Sequence, residues 1–114
     1  MAIHHARPGE VFDLAHPQQE VPNSQSTALF RTDDIEVIRR VLRAGEKVPE
    51  HCVDGDMTLQ CLSGAVRVSA HGATQALAPG KLMYVAARAP YQLEGDGGEG
   101  VVLMTIVRVR EKGA

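Results

Sequence analysis

The chain has 114 residues, 44% of them hydrophobic and 23% charged, the size and makeup of one globular domain and not of a disordered segment. Twelve basic against fourteen acidic side chains leave a formal charge of −2, which argues against a nucleic-acid or anionic-membrane partner. No apolar run reaches the roughly 20 residues of a membrane helix, the first eight residues lack the apolar stretch of a secretory leader, and two cysteines make no disulfide framework, so a reducing cytoplasm is expected.

Residues 1–25 carry Pro8, Pro17 and Pro22 and few apolar clusters. They are expected to form an N-terminal arm with one short strand at 11–14, ahead of a domain spanning 26–114. His4 and His5 lie on this arm and are too few to make a site; His16 is isolated. Segment 32–42 can be read in two ways. Ile35, Ile38 and Leu42 fall at helical spacing behind Thr32 as a candidate N-cap, whereas its four β-branched apolar residues favour a strand. Periodicity leaves the two balanced, and the strand-rich remainder tips the reading toward β.

Beyond residue 44, glycines recur mostly at the interval of short strands joined by turns. Segment 65–70 alternates, with Val66 and Val68 on one face and Arg67 and Ser69 on the other. Segments 57–62, 81–85 and 101–109 are apolar or β-branched strand candidates. Ala78-Pro79-Gly80 reads as a turn, His71-Gly72 as another, and 94–100 as an acidic hairpin tip with no lysine to cradle a phosphate. The architecture is therefore all-β, a small sandwich or barrel. With 4% aromatics and no tryptophan its core is aliphatic, and Met57, Leu59, Met83, Leu93 and Met104 are its candidates. A cavity left among them would be an apolar ligand pocket. Cys52 and Cys61 are expected as small buried hydrophobes, and Arg39, Arg40, Arg43, Arg108 and Arg110 as a solvated outer face.

Two stretches resemble the paired motifs of the cupin superfamily, small antiparallel β-barrels of jelly-roll type. The first runs from Gly45 through His51, Val53 and Met57 to Gly64, and the second from Gly80 through Ala86 and Arg88 to Tyr91. The glycine spacings fit without gaps, and the resemblance covers residues 35–107. It implies a single-domain jelly-roll barrel. Position by position, His51 falls on the first metal-binding histidine of the family, Val53 on the second, Met57 on the glutamate and Tyr91 on the third histidine. Ala86 and Arg88 replace the proline and glycine of the second motif.

Valine binds no metal, a thioether prefers soft ions, and tyrosine ligates only when deprotonated. The resemblance thus implies a ligand pocket at His51, Val53, Met57 and Tyr91 with no cofactor and no standard metal site. A divalent transition metal held by His51 with Asp54, Asp56 or Gln60 is the alternative, and strand parity turns Gln60 away from Met57. Metal-free epimerases of the superfamily pair a histidine base with a tyrosine acid, a fold-level analogy for His51 and Tyr91. Cupins commonly associate through sheet edges and exchanged terminal strands, which implies a homodimer. Three functions follow: a metal-free module that binds or senses a small molecule, a metal-dependent dioxygenase or isomerase, and a purely structural dimer.

Overall fold

The computed structural model describes residues 7–14 and 26–109. Eight strands are present among them and no helix: β1 (Thr27–Arg31), β2 (Ile35–Leu42), β3 (Met57–Ser63), β4 (Val66–Ala70), β5 (Ala73–Leu77), β6 (Leu82–Val85), β7 (Tyr91–Gly95) and β8 (Gly100–Val107). They form a five-stranded antiparallel sheet in the order β1-β2-β8-β3-β6 and a three-stranded one in the order β5-β4-β7. The expected all-β jelly roll is thus two facing sheets, not joined into one hydrogen-bonded ring among the described residues. Within segment 32–42, Ile35–Leu42 is strand, as the β-branched residues favoured, and 32–34 is the turn before it. Residues 11–14 are not a strand, which corrects the expectation for the arm. His4, His5, His16 and Arg110 lie outside the described residues.

Alternation decides what the sheets bury. Met57, Leu59 and Cys61 of β3 turn inward against Val102, Met104 and Ile106 of β8 and against Val66, Val68 and Leu93 of the smaller sheet. Leu59, Val68 and Val102 are fully enclosed, and Met83 packs at the margin of the same cluster. The other face of β2 is also covered: Val37, Arg39 and Val41 are buried there, so Arg39, 2% exposed, is no part of a solvated stripe. Its burial lowers the pKa of its guanidinium, and the charge of Glu99 works the other way.

The connections follow from turn chemistry. Thr32 caps no helix; its hydroxyl accepts the backbone N–H groups of Asp34 and Ile35 at 3.0 and 3.1 Å and closes the β1–β2 turn. His71 and Gly72 both have positive φ, as a two-residue β4–β5 turn of the primed kind requires. Lys81 N–H donates to the Ala78 carbonyl at 3.0 Å around Pro79 and a positive-φ Gly80, the proline-glycine turn expected there. Segment 94–100 is not a hairpin tip. β7 pairs with β4 while β8 pairs with β2 and β3, so the acidic glycine run is the corner where the chain changes sheets.

Candidate functional site

After Leu42 the chain crosses from the larger sheet to the smaller in the long segment 43–56. There it runs beside β7, with Val48 N–H donating to the Leu93 carbonyl at 2.9 Å. His51 and Tyr91 exchange both backbone hydrogen bonds, at 2.9 and 2.8 Å, and form an isolated bridge. Residues paired this way point to the same side of a sheet. Their rings meet edge-on, with centroids 6.1 Å apart at an interplanar angle of 77°. Tyr91 is 6% exposed within the core cluster, while His51 stands at the solvent side. Burial pushes the Tyr91 phenol above its ordinary pKa, the Arg40 guanidinium pulls it partway back, and Cys52 raises it further. The hydroxyl is therefore a hydrogen-bond donor at neutral pH.

The segment ends in a close approach. Gly55 passes so near β8 that a Cβ there would run into the Val107 carbonyl, and Val107 N–H donates to the Asp56 carbonyl at 2.8 Å. This fixes the start of β3 and with it Met57. The Val53 carbonyl accepts from Arg88 N–H at 2.8 Å, and the Val53 side chain packs on the cluster that contains Met57 and Tyr91. Arg88 holds a φ of 64°. Where the second cupin motif carries glycine, this chain places an arginine in the conformation that glycine adopts freely.

The alternative metal set does not assemble. Gln60 lies on the opposite face of β3 from Met57, opposite Leu82 and Leu103, and the register shift comes only after Cys61. One oxygen of Asp56 accepts from both the Tyr84 hydroxyl and Ala87 N–H at 3.0 Å. Asp54 borders a separate surface hollow with Ile106 and Val107. Among the described residues no three or more His, Cys, Asp or Glu side chains gather as a metal group. One imidazole with a valine, a thioether and a buried phenol does not fit a divalent ion.

Cys52 is exposed, against expectation, because it follows His51 on a segment covered from one side only; Cys61 is buried as expected, and both thiols are free. A surface hollow of about 530 Å³ along the β4–β5 turn is lined by Glu50, His71, Thr74 and Pro90. The chain neighbours of the paired residues, Glu50 and Pro90, thus border this outer hollow. There His71 Nε2 accepts from Ala86 N–H at 3.2 Å. Arg40, expected on a solvated outer face, sits instead between Ile38 and Leu42 on the inner face of β2, opposite Val102. Strand alternation from Leu42 was the signal for it.

No family profile matches the chain, and no curated protein does. Solved structures do. A conserved protein of unknown function from Streptococcus pyogenes aligns with a TM-score of 0.75 at 24% identity, over 96% of this chain and 97% of the other. A cupin superfamily protein from Desulfitobacterium hafniense aligns with a TM-score of 0.76 at 20% identity, over 96% and 100%. KdgF from a Halomonas species aligns with a TM-score of 0.69 at 17% identity, over 81% and 84%. These likenesses show the fold, that of a small cupin domain.

Proposed function

We propose that this chain is a small-molecule-binding or sensing cupin domain that works without the superfamily's metal. The observation that carries the reading is the edge-on pair of His51 and Tyr91 along β7 of the smaller sheet. The reading joins a solvent-side imidazole and a buried phenol donor to the apolar side chains of Val53 and Met57, which share a cluster with Tyr91. An imidazole that both donates and accepts, beside a phenol that donates, suits a polar ligand head seated over an apolar floor. The proposal includes self-association through β6, an edge strand on which Leu82 and Tyr84 are 62% and 60% exposed.

The test is metal content by mass spectrometry on protein purified without chelators, followed by a small-molecule screen read as thermal shift, each with His51→Ala alongside. Ligands that raise the Tm of the native chain and lose that effect in His51→Ala are expected. About one transition-metal equivalent per chain, lost in the same variant, would overturn the metal-free reading in favour of metal-dependent chemistry.

A further inference from the structure

Arg40 is the unexplained charge of this fold. It lies on the inner face of β2, flanked by Ile38 and Leu42 and opposite Val102, on a stretch of wall whose nearest neighbours are apolar. Its Nε is buried, and no hydrogen bond takes it up among the described residues. Glu36 shares the inner face by alternation, four residues or about 13 Å along the strand, and makes no ion pair with it among the described residues. The guanidinium is instead close enough to Tyr91 for its charge to act on the phenol. A strand that places a cation among core residues bears a desolvation cost, and no ion-pairing anion offsets it among the described residues.

We infer that Arg40 is the anion-recognition residue of the pocket and that the ligand is a small carboxylate, held between the Arg40 guanidinium on the larger sheet and the Tyr91 hydroxyl and His51 imidazole on the smaller. The inference rests on the proposed ligand-binding reading and narrows it. A guanidinium offers a planar fork of N–H donors that matches the two oxygens of a carboxylate, and Tyr91 adds a neutral donor from the side. The aliphatic floor of Met57 and Val53 suits a short hydrocarbon tail. A neutral polar head would leave the buried Nε without a charged partner, and a cation would meet it with repulsion.

The experiment titrates the native chain with acetate, butyrate and hexanoate and with the matching amides, following backbone amide signals of residues 38–42, 51–53 and 91 by NMR. At least one carboxylate is expected to shift these signals and to bind about tenfold more tightly than its amide, as a charge-assisted pair should. Arg40→Gln is expected to erase that preference while leaving the amide spectrum dispersed. Equal binding of acid and amide to the native chain would overturn the anion assignment and leave the pocket reading standing. A carboxylate preference that survives Arg40→Gln would overturn the role of Arg40. No shift at these residues with any of the six compounds would overturn both readings. Should Arg40→Gln fail to fold, Arg40→Lys, which keeps the charge but not the fork, takes its place and is expected to weaken the preference.

Discussion

At the scale of single residues, the departures from the superfamily's motifs have different physical consequences. Val53 and Met57 add apolar side chains at the motif positions, and Tyr91 brings a polar atom into the core cluster. Arg88 pays in backbone strain: its φ of 64° is one that a side chain disfavours by about 1–2 kcal/mol. Glycine would relieve that strain but gain freedom in the unfolded chain, which returns part of the benefit. Arg88→Gly is therefore expected to stabilise the protein by about 0.5–1 kcal/mol, seen as a higher urea midpoint with an unchanged slope. A lower midpoint would mean that the arginine side chain makes a contribution larger than its strain. Arg39 and Arg40 show how much one step along a strand matters: Arg39 lies on the outer, covered face of the larger sheet and Arg40 on the inner one.

At the scale of elements, segment 43–56 does what a regular strand could not. Its pairing with β7 is interrupted, being present at Lys47 and at His51, so it can leave the sheet again and deliver Met57 to β3. The approach of Gly55 to Val107 sets where it leaves. At the opposite edge β6 is short and leaves one side of its ladder unpaired, with Leu82 and Tyr84 outward. The proposed self-association would use this edge. Light scattering coupled to gel filtration is expected to give twice the 12.3 kDa chain mass, and Leu82→Lys is expected to give the mass of one chain. A native chain that elutes at the single-chain mass at micromolar concentration would rule this edge out as a dimer contact.

At the scale of the whole molecule, the core couples stability to pH on the alkaline side. Burial raises the pKa of the Cys61 thiol and of the Tyr91 phenol. For each, the unfolded chain ionises first, so above the unfolded pKa the unfolded state binds fewer protons and stability falls as pH rises. The contribution is complete well below the unfolded thiol pKa of about 8.5 and is lost progressively as pH rises through and beyond it, with the phenol following above about pH 10. The urea midpoint is therefore expected to hold between pH 7 and 8 and to decline toward pH 10.5, with a shallower decline in Tyr91→Phe. A midpoint flat across that window would show that neither group is as enclosed as the packing requires.

The sequence by itself determined the fold class and most of the strands, because alternation and turn chemistry are local: Val66 and Val68, the apolar run of β8, and Pro79-Gly80 each state their structure within a few residues. It also determined what the motif positions cannot do, since valine at 53 and methionine at 57 exclude the superfamily's ligand set by chemistry alone. Strands β1, β5 and β7 were not legible as strands. Ala73–Leu77 has little apolar signal because nearly all of it is exposed, and Tyr91–Gly95 holds its place through its partners β4 and segment 43–56. Which sheet each strand joins was decided only by the tertiary structure, which turned the acidic run at 94–100 from a hairpin tip into a corner between sheets. The same holds for Arg39 and Arg40: the sequence reads two adjacent charges, and only the packing of Ile38 and Leu42 into the core shows which one shares the inner face, because a side chain's direction is local but the side that becomes the interior is not.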